Sequence, residues 1–205
     1  MKRQFDLEEF SHKSRDILQE FIQDKKILRK YILELPHQQN LFNLCEHYDI
    51  LDKIVLFSNE DSSIRVRLHV FADGYFDRPH NHRWSYSSYI LSGGYRHTIY
   101  VPKEQHGNPN AQDLIPIIIR QEKAGDFYTL DSSQFHSVVA EPNTVTLIVR
   151  GPADKDRFRL IDMVTKEAWW QYGASTESPE DKKKKEMSQT QFNVAVAKLE
   201  KLGII

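Results

Sequence analysis

Cysteine is almost missing from this chain: Cys45 is the single one in 205 residues. It has no partner for an internal disulfide and no second thiol for a CxxC redox or zinc motif. A reducing compartment suits such a chain, and the expected location is the cytoplasm. Cys45 lies in the amphipathic stretch LFNLCEH and reads as a small buried residue rather than a nucleophile. Long apolar runs are missing too. No window approaches the ~18 uninterrupted apolar residues of a membrane span, and the opening MKRQFDLEEFSHKSRD is charged, without the apolar stretch of a leader, so no membrane partner is expected. Neither sign of charge is in excess, since 28 Lys and Arg oppose 29 Asp and Glu. No global field draws the chain to nucleic acid, and none is expected as a partner. The basic tract Lys182 to Lys185 is flanked by Glu180, Asp181 and Glu186, which suits a solvated helix start.

What is present is enough apolar material for one domain with terminal additions, 40% hydrophobic and 11% aromatic. From Leu7 to Leu35 the residues Phe10, Ile17, Leu18, Phe21, Ile22, Ile27, Leu28, Tyr31 and Ile32 recur at three- and four-residue spacing, which predicts helix. Pro36 punctuates it, and a second short helix is expected from Leu41 to Tyr48. From about Ile54 the character turns to β. The stretches IVLF, SIRVRLHVF, YSSYILSGGYRHTIYV, LIPIIIRQ, DFYTL, HSVVAE and TVTLIVRG are rich in β-branched and aromatic residues and are separated by turn residues, including Gly93-Gly94 and Gly107-Asn108-Pro109. Many short strands with few helices between them predict an all-β sandwich or barrel. The expected organisation is a helical segment over 1–53, a β-barrel over 54–172, and a polar linker with a C-terminal helix over 173–205. That helix is expected to pack on the barrel or on another subunit, so a homodimer is one expected assembly.

The chemistry-bearing stretch runs from Gly74 to Gly94 and includes His80-Asn81-His82. Histidines at i and i+2 at the start of a strand project from one face, so both imidazoles can reach one ion. A third, His136, opens the strand after Gly125 and Asp131-Ser132-Ser133. Three neutral imidazoles suit zinc, iron, copper or nickel and leave coordination positions open for water or substrate.

These residues resemble the two motifs of the cupin superfamily. The first runs glycine, five residues, His-x-His, a glutamate and a closing glycine; here Gly74 is followed by five residues and His80-Asn81-His82. The second runs glycine, five residues, Pro-x-Gly, two residues, histidine; here Gly125 leads to His136. The resemblance covers about residues 61 to 165, accounts for neither the helical N-terminus nor the C-terminal tail, and implies a double-stranded β-helix barrel holding one divalent metal at His80, His82 and His136; the expected fold is that barrel with the N-terminal and C-terminal helices flanking it. The glutamate ligand is absent: Tyr86 or Ser87 stands in its place, depending on which glycine closes the motif. A three-histidine site without a carboxylate resembles the ferrous centre of cysteine-dioxygenase-type cupins. It implies an Fe(II) dioxygenase acting on a small polar, thiol- or carboxylate-bearing molecule, with Zn, Mn or Ni as other metals. An isomerase, lyase or hydrolase using the metal as Lewis acid is the alternative, and so is a non-catalytic binding protein.

Several residues are candidates to line this site. Tyr86 is either a hydroxyl beside the metal or a core tyrosine. The strand Ser63 to Phe71 alternates, with Arg65, Arg67 and His69 on one face and Ile64, Val66, Leu68 and Val70 on the other. If the cationic face points inward, Arg65 and Arg67 are substrate-binding residues for a carboxylate; the opposite assignment puts them on the surface. His97 is a candidate acid or base, set against a polar surface position. Asp77 and Asp131 read as turn residues or as orienters of an imidazole. His12, His37, His47 and His106 are expected to be exposed.

Overall fold

A computed structural model describes residues 5–61, 63–104, 109–173 and 176–205. His106 and most of the turn expected at Gly107-Asn108 lie outside the described residues, as do residues 1–4 and 174–175 of the two terminal segments.

Helix α1 (Leu7–Ile22) begins where the Asp6 side chain accepts hydrogen bonds from the Glu8 and Glu9 amides. The single helix expected to Leu35 is interrupted, because the extended residue Asp24 accepts from the Lys26 amide and starts a new helix, α2 (Lys25–Glu34). A second correction follows Pro36. Helix α3 (Gln39–Phe42) stops well short of Tyr48, and Glu46–Tyr48 forms β1, an antiparallel hairpin with β2 (Leu51–Ser58). Glu46 lies opposite Lys53, and the buried Cys45 sulfur accepts the Val55 amide at 3.3 Å, so pairing across the hairpin overrides the helical spacing. Burial pushes the Cys45 thiol up to about 11, the state of an inert packing residue.

The remaining strands are β3 (Arg65–Phe71), β4 (Trp84–Ser92), β5 (Gly94–Pro102), β6 (Leu114–Lys123), β7 (Phe127–Leu130), β8 (Phe135–Ala140), β9 (Val145–Ala153), β10 (Arg157–Ile161) and β11 (Ala168–Tyr172). One sheet has the order β1-β2-β3-β9-β4-β7 and the other β6-β5-β8. Single bridges from Phe76 and His80 to β8, and from His80 to Leu160, connect the second sheet to the β10-β11 hairpin. From β3 the chain visits first sheet, second (residues 76–80), first (β4), second (β5, β6), first (β7), second (β8), first (β9). This is a jelly roll, the double-stranded β-helix implied by the cupin resemblance. The expected barrel is realised as two facing sheets that are not closed at their edges. Gly93 (φ 66) turns β4 into β5, and a β-carbon on Gly94 would collide with the Glu122 carbonyl, so both glycines of the pair are required.

Alternation along β3 and β9 sorts the core. Val66, Leu68, Val145, Leu147 and Val149 face outward and pack beneath Phe10, Leu18, Phe21, Leu28 and Ile32, with Phe192 and Leu199 of α5 (Gln189–Lys201) in the same cluster. Tyr86, Ile90, Tyr95, Ile99, Tyr128, Leu130, Val138 and Ile148 fill the space between the sheets. Arg65, Arg67 and His69 lie on that inner side, opposite the helices. Part of the expected polar linker is a further helix, α4 (Pro179–Lys185), capped by Ser178 and held by Lys185 to Glu46 at 3.1 Å. Among the described residues no helix is long and apolar enough to cross a membrane.

Candidate metal centre and its surroundings

The backbone between the sheets aims the His-x-His pair. His80 exchanges both backbone hydrogen bonds with His136 of β8 at 2.9 Å, which anchors it to the second sheet. Asn81 points away, its Oδ1 accepting the Arg159 amide at 2.8 Å. His82 lies two residues before β4, where the chain crosses to the first sheet, and its amide donates to the Ser132 carbonyl. The pair thus occupies a crossover rather than a strand start, yet the rings still converge. His80 and His82 centroids are 4.7 Å apart, and His136 is 4.6 Å from the first and 5.0 Å from the second. One donor nitrogen from each of the three lies within 4.8 Å of the others.

Hydrogen bonds behind the rings decide which nitrogen faces inward. His80 Nδ1 donates to the Arg78 carbonyl at 2.8 Å, leaving Nε2 with its lone pair. His136 Nδ1 meets His97 Nε2 at 3.1 Å, and His97 Nδ1 meets Glu122 Oε1 at 3.1 Å, an oxygen also engaged by Arg120 Nε. A carboxylate only accepts, so His97 donates through Nδ1 and receives through Nε2, and His136 donates through Nδ1. The His136 Nε2 lone pair then faces His82 Nε2, 2.8 Å away. Burial holds His82 and His136 well below the ordinary imidazole range and lowers His97 as well. His82 Nε2 is the donor in its contact with His136 Nε2, and with that proton displaced the three converging imidazoles are a donor set that fits a divalent metal ion.

Tyr86 and Ser87 are now distinguishable. Tyr86 is buried between the sheets with its hydroxyl 3.4 Å from His136 Nε2. Ser87 faces the helices, its Oγ 2.8 Å from Thr129 Oγ1, which in turn meets Ser11 of α1. Of the two candidates, Tyr86 is the one on the side of the triad. Its hydroxyl continues to Tyr128 at 3.5 Å and thence to Tyr95 at 2.6 Å. Burial raises all three phenols well above their ordinary range, so each keeps its proton near neutrality.

The other candidates also find places. His97, weighed above against a surface position, is 0% exposed and backs His136 instead of touching the open side of the triad. Arg65 and Arg67 are on the inner face of β3, in register with Arg150 and Ile148 of β9. Asp131 is turn chemistry, accepting from the Ser133 amide at 2.9 Å. Asp77 is half-buried, accepts the Val138 amide at 2.6 Å and lies 4.0 Å from His80 Nδ1, with its carboxyl pushed up to about 6 by desolvation. His47 is half-buried against Asp52 rather than exposed, whereas His12 and His37 are exposed. Sequence reasoning missed Trp84, stacked on His82 at 4.9 Å and 23°, and the buried Arg150. It also missed Glu122 and Arg120. Arg150 had a signal, since the alternation Thr146, Ile148, Arg150 continues the inner face. Glu122 had none, because only the β5-β6-β8 pairing brings it to His97.

No family model matches the chain. No curated protein matches it either. Solved structures similar to it include KdgF from Halomonas sp. (16% identity, TM-score 0.39, 51% of this chain and 82% of that one). An RmlC-like cupin from Shewanella frigidimarina shows 19% identity and a TM-score of 0.40 over 55% of this chain and 86% of its own. The polyketide cyclase RemF from Streptomyces resistomycificus shows 15% identity and a TM-score of 0.40 over 58% and 75%. The double-stranded β-helix stands on the strand order described above.

Proposed function

We propose that this chain is an Fe(II)-dependent dioxygenase acting on a small, polar, anionic molecule that bears a thiol or a carboxylate. The observation that carries this reading is the neutral donor set: three imidazoles converge, and the hydroxyl of Tyr86 stands where a carboxylate ligand would neutralise the ion. A ferrous ion held there would supply an open coordination sphere in which an anionic substrate group and oxygen can meet. The residues do the rest. His97 and Glu122 hold the His136 ring in one tautomer. Tyr86 keeps a proton on its hydroxyl and can donate it in a hydrogen bond to an anionic atom beside His136, while Tyr128 and Tyr95 fix its direction. Trp84 covers His82 and limits water on that side.

The test is oxygen uptake by anaerobically purified, iron-loaded protein against a panel of thiol and carboxylate metabolites. Substrate-dependent uptake that disappears in His136→Ala is the expected result. Turnover without oxygen, with zinc, manganese or nickel serving equally well, would refute the dioxygenase reading in favour of Lewis-acid chemistry. The reading extends to a homodimer. Edge strand β6 leaves Ile115, Ile117 and Ile119 between 43% and 57% exposed, a surface on which a second copy can pair. Light scattering of wild type and Ile117→Glu tests this: a dimer that becomes a monomer is expected, and a wild-type monomer refutes it.

A further inference from the structure

The inner face of the first sheet carries more positive charge than the metal triad requires. Arg65 and Arg150 are direct cross-strand partners, and Arg67 lies one inward position along β3. None of the three takes part in an ion pair among the described residues. The nearby carboxylate, Glu46, attracts Arg67 only at a distance, for its contacts are with Lys53 at 3.5 Å and Lys185 at 3.1 Å. Hydrogen bonding does not account for them either. Arg67 Nε, Arg150 Nε and His69 Nε2 are buried without a hydrogen-bond partner among the described residues. Among the described residues Arg150, 8% exposed, donates only to the Gly151 carbonyl, and Arg65 reaches Ser58 at 3.4 Å. Like charges directly opposite each other on a sheet are destabilising, and buried unpaired guanidinium groups are more so. Burial and the neighbouring arginines depress Arg150 to about 9.

This cationic cluster is placed beside the metal site and separated from it by one ring. Arg67 and Arg150 each lie 6.0 Å from the Trp84 ring, and Trp84 is stacked on His82. A ligand that reaches from the triad past Trp84 therefore meets two guanidinium groups with free donors. Guanidinium forks match the oxygens of carboxylates and phosphates.

We infer that the space between the sheets holds a second, metal-independent subsite, formed by Arg67 and Arg150 with Arg65 behind them, for an oxyanion. The substrate is then an elongated molecule with one end at the histidines and an anionic tail, a phosphate ester or a carboxylate, at the arginines. Assigning the oxyanion to a substrate tail rests on the function proposed above; the subsite does not. An anion there would remove the repulsion between Arg65 and Arg150, so its binding stabilises the fold.

Thermal unfolding of the full-length protein, titrated with inorganic phosphate and separately with succinate against chloride at equal ionic strength, tests the subsite. The melting temperature of wild type and of His136→Ala should rise with one or both anions. The rise should shrink to roughly a third or less in Arg67→Gln and in Arg150→Gln. Arg150→Gln should also melt higher than wild type without added anion, because it relieves the repulsion. A larger effect of phosphate assigns a phosphate tail, and a larger effect of succinate a carboxylate tail. The inference is overturned if neither anion exceeds chloride in wild type, or if Arg67→Gln responds as wild type does. Loss of oxygen uptake with the anion response intact would refute the dioxygenase and leave the subsite standing.

Discussion

His97 makes no contact with the open side of the triad, yet its removal should weaken metal binding. In His97→Phe the His136 Nδ1 proton loses its acceptor, and the Glu122 carboxylate, 5% exposed, loses one of its two donors. A buried donor left without a partner costs about 1–3 kcal/mol, and that cost falls on the His136 tautomer that presents Nε2 to the metal. Loss of such a supporting partner typically weakens metal affinity about 10–100-fold, the same range expressed as a binding constant. Phenylalanine keeps a ring beside Tyr128, whose centroid lies 4.8 Å from that of His97, so packing is largely retained. Competition of the protein with a chromophoric chelator for zinc measures the affinity without requiring turnover. The double variant His97→Phe, Glu122→Gln separates fold from site: removing the stranded charge should restore melting temperature but not affinity. Wild-type zinc affinity, within about twofold, in a folded His97→Phe would refute the argument that His97 orients His136.

Five further outcomes are expected. Alanine at His80, His82 or His136 should abolish tight zinc binding, while His12→Ala, on an exposed helix position, should bind as wild type does. Tyr86→Glu should tighten metal retention and suppress turnover, because a carboxylate would occupy the position an anionic substrate needs; full activity with the new carboxylate on the metal would sink direct coordination by substrate. Ser87→Glu should instead lower the melting temperature, placing a charge under α1 beside Thr129 without touching the triad. Deleting residues 1–43 should give insoluble or non-cooperatively melting protein. Phe10, Leu18, Phe21, Leu28 and Ile32 each contribute about 1.5–3 kcal/mol by burial, together comparable with the whole stability of a domain. A soluble barrel with a sharp transition would show the helices to be dispensable. Although burial opposes it, Lys53, Arg67 and Lys185 together hold the Glu46 carboxyl at about 2, below its ordinary value of 4.5. That contribution is present above pH 4.5 and is lost as pH falls toward 2, so Glu46→Gln should flatten the acid limb of a stability profile; an unchanged limb refutes it.

What local pattern could reveal of this molecule was revealed by period and spacing. The strand positions were legible because alternation along SIRVRLHVF and TVTLIVRG is a one-dimensional signal of a two-sided sheet. The metal triad was legible because two of its members are two residues apart and the third follows a glycine turn. The misreadings arise where long-range pairing competes with local preference. Glu46-His47-Tyr48 has helical spacing but pairs with β2, and Asp24 interrupts a run whose apolar period continues through it. His97 and Glu122 are separated by 25 positions and meet only when β5 and β6 are in register.

The inner arginines show a different limit, since alternation placed Arg65, Arg67 and His69 on one face but left open which face was inside. Burial decides it: Val66, Leu68 and Val70 are needed under the helices, and once those are outward the cationic residues have nowhere to go but between the sheets. The fold thus accepts buried positive charge in order to bury the helical stripe on the other side of the same strand. A divalent ion held by the triad would add to it, for three imidazoles would leave both its charges unmatched and the protonated Tyr86 would do nothing to offset them. The arginines, and a metal at the triad, would both leave positive charge uncompensated between the same two sheets, and an anionic ligand is the species that would compensate them.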